Sequence, residues 1–321
     1  MAVAADFARR GTPQDPQSIV LTASTSEAYA LLFKLLCDPG DTVLTPRPSY
    51  PLFAYLGDLE GVALRQYPLS YDGRWQIDFS ALANAVSDDV RAVIAVSPNN
   101  PTGSYLKRDE QGRLLELCAD RDVAVICDEV FADYGLRPDA SRAPGLPVDG
   151  PALGFALGGL SKSVGLPQLK LAWIAVRGPR ATRDEALARL EIIADTYLSV
   201  STPIQLALPG LLARHGELQG PIRERVQTNL LRLSTAALGT TATLLDVEGG
   251  WSAIVRLPAT RTDEEWALSL LEEQAVVVHP GYFFDIDLPA CVVVSLLPPT
   301  EVFAAGVSRI LGSLADGDGV E

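Results

Sequence analysis

Lys162 lies in the stretch Gly158-Gly159-Leu160-Ser161-Lys162-Ser163-Val164-Gly165-Leu166, where no other residue is charged. An ammonium group among small and apolar neighbours loses hydration, which lowers its pKa and frees an amine able to attack a carbonyl carbon. The chemistry suggested is that of a Schiff-base lysine. Taken alone the pattern is weak, because a lysine after a turn is ordinarily a solvated surface residue. Its weight comes from three groups that precede it in the chain.

Asn100 is the first, in Ser97-Pro98-Asn99-Asn100-Pro101-Thr102-Gly103, directly after the apolar run Ala92-Val93-Ile94-Ala95-Val96. Such a run reads as a buried parallel strand. The Pro/Asn/Gly cluster ends it sharply and puts the amide at the C-terminal edge, where open α/β sheets bind ligands. Asp128 is the second, at the end of Val123-Ala124-Val125-Ile126-Cys127. A carboxylate at the mouth of a buried strand costs desolvation energy unless it meets a cation, and a protonated pyridine nitrogen is such a cation. The third is Ser24-Thr25-Ser26, between Ile19-Val20-Leu21-Thr22, which reads as a strand, and a helical pattern of Ala28, Leu31, Leu32, Leu35 and Leu36. Hydroxyls and free backbone N–H groups at a helix N-terminus hold a phosphate, aided by the helix dipole. By itself the same segment is read more simply as an N-cap opening an ordinary amphipathic helix.

To bring these groups to one edge, strands and helices must alternate. From residue 18 to about residue 200 they do, the signature of an α/β fold with a mostly parallel sheet covered by helices on both faces. Helical patterns run over 109–119 and 185–194, while 203–215 and 221–238 read as consecutive helices, the second long and bridging. Beyond residue 241 the pattern turns to strands at 243–247, 251–256, 275–278 and 291–297, with helices from about 262 and over 301–314. We therefore expect a large domain over 1–220 and a smaller α+β domain over 221–321, with an acidic end from Ala315 that frays.

In this order the four groups resemble the fold-type I pyridoxal-phosphate (PLP) enzymes, specifically the class I/II aminotransferases related to aspartate aminotransferase. The resemblance covers nearly the whole chain. Its most specific signatures are Asn100-Pro101-Thr102-Gly103, Asp128-Glu129-Val130 and Ser161-Lys162, with 28 residues from Asn100 to Asp128 and 34 from Asp128 to Lys162. It implies that Lys162 forms the Schiff base with pyridoxal 5'-phosphate and later shuttles the substrate's α-proton. Asp128 would bind the pyridine nitrogen, Asn100 would donate to the phenolic oxygen, Ser24, Thr25 and Ser26 would cradle the phosphate, and Ser161 would be a further cofactor-binding residue. Tyr50, in Arg47-Pro48-Ser49-Tyr50, would stack on the ring, although an aromatic in that setting is otherwise read as a core residue. Lys170 stands where the family usually has a phosphate-touching arginine, and can act there as a point charge without the bidentate fork.

Departures from the family matter as much. Phe131 stands where many relatives have a tyrosine bonding the phenolic oxygen, and Gly159 where a phosphate-binding serine is common. Val293, in Cys291-Val292-Val293-Val294-Ser295-Leu296, takes the place of the arginine that clamps the substrate α-carboxylate, and a valine cannot make that ion pair. Ser295, Tyr282 and His279 are candidate hydrogen-bonding replacements. The resemblance further implies a homodimer with shared sites, to which Ser199-Val200-Ser201-Thr202-Pro203 would contribute a crossing loop. Only 17 residues precede Ser18, so the family's phosphate-reaching tyrosine from that segment is not found and weaker cofactor retention is expected. An aminotransferase acting on an amino acid and a 2-oxo acid is the reading these residues favour. A lyase or decarboxylase on the same fold and a catalytically weak PLP-binding protein are the alternatives.

Composition excludes other classes. The chain of 321 residues carries 48% hydrophobic and 21% charged residues with no apolar run near 20 residues, which argues for a soluble globular protein rather than a disordered or membrane-spanning one. A net charge of −14 repels nucleic acid and anionic membrane alike. The four cysteines show no C-x-x-C spacing, and with two histidines they give a metal site little support. The start Met1-Ala2-Val3-Ala4-Ala5-Asp6 lacks the pattern of a signal peptide, so a cytoplasmic location is expected.

Overall fold

β-Branched and small apolar residues fill the segments that become the central strands, and they are buried on both faces. In the computed structural model, which describes residues 1–198 and 200–315, eight strands form one sheet. These are β1 (Ile19–Thr22), β2 (Thr42–Arg47), β3 (Ala63–Tyr71), β4 (Trp75–Ile77), β5 (Val90–Val96), β6 (Ala124–Asp128), β7 (Gly154–Gly159) and β8 (Ala172–Arg177). Their order is β1-β8-β7-β6-β5-β2-β3-β4. Neighbours from β7 through β3 pair in parallel, and β8, β1 and β4 join by antiparallel pairing. The expected α/β architecture is therefore the one found, with antiparallel strands confined to the sheet margins.

Successive side chains on a strand point to opposite faces. Val93, Ala95, Val125 and Cys127 accordingly face a core shared with Leu114, Leu115 and Cys118 of helix Arg108–Asp120 and with Phe7 of helix Ala2–Arg9. Ala92, Ile94, Ala124 and Ile126 face the other core, against Ala28, Tyr29, Leu32 and Phe33 of helix Thr25–Leu36. Continued one step, the alternation sends Asp128 toward the second core, and its neighbour Glu129 turns toward the first.

Four further strands, β9 (Thr243–Leu244), β10 (Ser252–Arg256), β11 (His279–Pro280) and β12 (Cys291–Ser295), make an antiparallel sheet in the order β11-β12-β10-β9. Val255, Val292 and Val294 pack beneath helices Asp263–Gln274 and Thr300–Ala315. Helix His215–Ala237 runs between the two cores: Leu218 packs on the first, while Val226 and Leu233 lie in that of the small sheet.

Of the boundaries that differ from expectation, three have a visible physical cause. The long helix begins at His215 rather than residue 221, with Pro221 inside it. Packing of Leu218 and a side-chain hydrogen bond from Gln219 to the Ser163 carbonyl hold the turns that proline would otherwise end. The strand expected at 243–247 stops at Leu244, because Asp246 and Glu248 are drawn to Arg137, Lys107 and Arg142. The strand expected at 275–278 is absent: Ala275 is a left-handed helix cap at φ 50°, Val276 N–H bonds back to Leu270, and pairing starts only at His279. Ser199, from the expected crossing loop, and the acidic end at 316–321 lie outside the described residues; Thr202 and Pro203 open helix Thr202–Ala213.

Candidate active site

At the end of β7, Gly159 is glycine because β8 leaves no room: a Cβ there would lie 2.9 Å from the Ala172 Cβ. The chain then makes one helical turn, Leu160–Ser163, anchored where the Tyr134 hydroxyl donates to the Lys162 carbonyl at 2.8 Å. That turn lifts the Lys162 side chain into an aromatic enclosure. Its Nζ lies 4.9 Å from the Trp251 ring centroid and 5.2 Å from that of Phe131, within cation–π range. Trp251 stands edge-on to both Phe131 and Tyr134, at 5.2 and 5.0 Å between centroids. Among the described residues no carboxylate forms an ion pair with Lys162. Burial lowers its pKa, opposed by the charge of Asp128.

Asp128, 8% exposed at the end of β6, accepts hydrogen bonds from the Tyr29 hydroxyl at 3.0 Å and from the Val130 N–H at 3.1 Å. Burial pushes its pKa up to about 6, while those two donors and Lys162 pull the other way. An ionised carboxylate has about four acceptor positions, so Asp128 keeps capacity for a further donor.

Asn100 is positioned by contact between distant segments. Gly103, at φ 71°, passes so close to Gly249 that a Cβ would lie 2.6 Å from its carbonyl oxygen. The loop after β5 is thereby seated on Gly249-Gly250-Trp251, and the Ser252 hydroxyl donates to Asn100 Oδ1 at 3.3 Å. The neighbouring Asn99 is buried and donates to the Pro48 carbonyl and to Thr102, which ties the loop to the segment before Tyr50.

The remaining sequence-predicted residues are arranged less tightly. The Ser24 hydroxyl accepts from Glu27 N–H at 3.1 Å, so it is the N-cap of helix Thr25–Leu36. The N–H groups of Thr25 and Ser26 then lack intrahelical acceptors, as first-turn donors do. Tyr50 is 49% exposed, Ser161 is partly buried, and Lys170 is exposed with a left-handed backbone at φ 51°. Val293 is 2% exposed in an apolar cluster with Ile254, Phe284 and Trp75. Of the candidate replacements for the missing arginine, Ser295 accepts from Leu297 N–H and His279 lies 6.0 Å, between ring centroids, from both Phe283 and Phe284.

Sequence reasoning missed Trp251 and Tyr29. The Gly249-Gly250 pair before Trp251 was a signal of close backbone approach; nothing near Tyr29 set it apart from a core aromatic. The donor set suits the cofactor that the resemblance implies. It comprises a partly buried amine without a counter-ion in contact among the described residues, a buried carboxylate with spare acceptor capacity, an amide after a strand end and free N–H groups at a helix start. A separate cavity of about 390 Å³ lies on the Glu129 side of β6 and is lined by Arg10, Glu129, Asp133, Arg142 and Arg223, not by Lys162.

Residues 2–310 match the family described as aminotransferase class I and II. Human tyrosine aminotransferase is 26% identical over 312 residues, 93% of this chain and 67% of its own. S-alkyl-thiohydroximate lyase of Arabidopsis thaliana is 28% identical over 219 residues, 65% of this chain and 46% of its own, so the chain spans under half the length of that relative. Among solved structures, alanine aminotransferase from Pyrococcus furiosus superposes with a TM-score of 0.86 at 24% identity, over 98% of this chain and 81% of that one.

Proposed function

Because the chain belongs to the class I and II aminotransferases, we propose that it transfers an amino group between an amino acid and a 2-oxo acid with pyridoxal phosphate held covalently by Lys162. The observation that carries this reading is a partly buried Lys162 amine and a buried Asp128 carboxylate that feel each other's charge, placed just after and at the ends of the adjacent parallel strands β7 and β6. When bound, the cofactor supplies an electron sink for the α-carbon of the substrate. Lys162, its pKa lowered by burial, is the base that takes and returns the α-proton. Asp128 would balance positive charge at the ring nitrogen, and Asn100 would donate its amide to the phenolic oxygen without help from Phe131, which has no hydroxyl. Ser24, Thr25 and Ser26, with Lys170, would hold the phosphate, Ser161 would also contact the cofactor, and Tyr50 would stack on its ring. Phe131 and Trp251 shield one side of the amine from water.

We read residues 1–220 as the cofactor-binding domain and 221–321 as the smaller one. Homodimerisation is part of the same proposal, supported by the exposed apolar residues Tyr55, Leu59, Tyr197 and Leu198; Lys34 links their helices by pairing with Glu60 and lying 5.5 Å from the Tyr197 ring centroid. No described helix is long and apolar enough to cross a membrane, and the four cysteines are free, which supports a cytoplasmic location.

The buried apolar setting of Val293 favours a second reading, in which the α-carboxylate is not clamped and another α-bond breaks, as in a lyase. One experiment separates the two. Purified protein loaded with pyridoxal phosphate is mixed with single amino acids and with amines lacking a carboxylate, and products are identified. Formation of a 2-oxo acid, with the amino group retained on the cofactor, supports transamination; release of ammonia or carbon dioxide instead would overturn it.

A further inference from the structure

Helix Thr25–Leu36 does more than open at a phosphate-sized set of N–H groups. Tyr29 stands one turn after Thr25 on the same helix face, about 6 Å along the axis at 1.5 Å per residue. Its ring is pinned by Phe53, edge-on at 5.2 Å, and by Phe33 at 6.1 Å, and the residue is 3% exposed. Alternation along β6 sends Asp128 to this side of the sheet, and the hydroxyl reaches it at 3.0 Å. Both groups are out of water, so neither has a solvent alternative to the other, and a hydrogen bond to a charged group in such a place contributes more than a neutral one.

We infer that Tyr29 is a positioning residue for the ring nitrogen of the cofactor, acting through Asp128: its hydroxyl fixes the carboxylate's orientation and keeps it ionised. This rests on the function proposed above. The groups that act on Asp128 come from four directions. Tyr29 donates from the helix and Val130 N–H from the following turn; Lys162, after β7, favours the ionised form, and Glu129, its neighbour, disfavours it. Tyr29 itself is held firmly neutral by burial and by Asp128, so it acts only as a donor. In a hydrophobic setting that by itself pushes Asp128 toward the protonated form, the hydroxyl is the one side-chain donor among the described residues that opposes it. One helix would thereby serve both ends of the cofactor, offering first-turn N–H groups to the phosphate and Tyr29, through Asp128, to the ring nitrogen.

The test uses Tyr29→Phe in the full chain. In cofactor-free protein labelled with ¹³C-aspartate, with the Asp128 signal assigned by its loss in Asp128→Asn, the carboxyl should titrate about one unit higher in Tyr29→Phe than in the unsubstituted protein, as loss of a charge-assisted hydrogen bond implies. An unchanged titration overturns the inference whether or not the cofactor reading stands. Affinity for pyridoxal phosphate should fall about threefold in Tyr29→Phe near pH 6.5, as the smaller ionised fraction of Asp128 implies, and recover by pH 8.5, where Asp128 is ionised without help; an equal loss at both values would mark a merely structural role. In the Asp128→Asn background, Tyr29→Phe should change affinity little, and additive losses would also count against coupling. If Tyr29→Phe does not fold, the Tyr29 hydroxyl proton of the unsubstituted protein serves instead: slow exchange and a resonance that shifts as Asp128 titrates are expected, and a proton that exchanges freely with water overturns the inference.

Discussion

Around Lys162 and Asp128 the molecule concentrates polar groups at the ends of parallel strands. Around Val293, on the facing sheet, it presents Ile254, Phe284 and Trp75. The first region holds the amide, carboxylate and amine read from the sequence as Asn100, Asp128 and Lys162; the second is apolar at Val293, where the resemblance led us to expect a cation. Asp128 and Val293 are both buried, so exposure does not explain the contrast. What differs is which charges have partners. Asp128 has two hydrogen-bond donors and a neighbouring amine, whereas a guanidinium at position 293 would meet hydrocarbon, where an unpaired charge is costly. A buried charge is thus kept at the end of β6, where donors meet it, and is missing at position 293, where none does.

The largest expected effect lies in the polar region. Lys162→Ala should abolish covalent trapping of pyridoxal phosphate by borohydride and reduce turnover by several orders of magnitude; retention of trapped cofactor, read by mass spectrometry, would give the Schiff base to another lysine. Next comes a substitution that imposes the usual family residue on the apolar region. Val293→Arg should destabilise the protein by about 3–5 kcal/mol, since its charge has no partner there. Urea denaturation measures this, and a variant as stable as the parent with improved use of carboxylate-bearing donors would erase the contrast.

A third prediction concerns pH. The folded pKa of Asp128, about 6, exceeds the ordinary unfolded carboxylate value, so the folded state holds that proton more tightly. Stability of cofactor-free protein should therefore fall as pH rises from about 4 to 6, by up to about 3 kcal/mol from this group. Asp128→Asn should lack that part of the decline, and parallel stability curves for parent and variant would show that Asp128 is not raised. Smallest is Gly159→Ser, which installs the hydroxyl common in relatives. The 2.9 Å approach to Ala172 should make it cost about 1–3 kcal/mol, and a neutral melting temperature would indicate that β8 yields.

Much of this was legible in the chain because strong local signals coincided with global ones. The run Val90–Val96, its termination at Pro98, and Asp128 after an apolar strand need no tertiary information to mark a sheet edge. Boundaries failed where tertiary contacts outvoted them. Pro221 did not start the long helix, since Leu218 and Gln219 were anchored elsewhere, and Val276–Val278 did not pair, since the preceding helix claimed the backbone for its cap.

The sequence by itself determined the order of the elements, the family, and the amine, carboxylate and amide of the candidate site, because residue type and strand position restrict where such groups can be buried. Only the tertiary structure decided what surrounds them. Trp251 and Phe131 meet Lys162 because Gly103 and Gly249 let segments 146 residues apart touch. Tyr29 reaches Asp128 because strand alternation and helix phase happen to point both side chains to one layer. Such contacts depend on packing between elements, which no local pattern encodes.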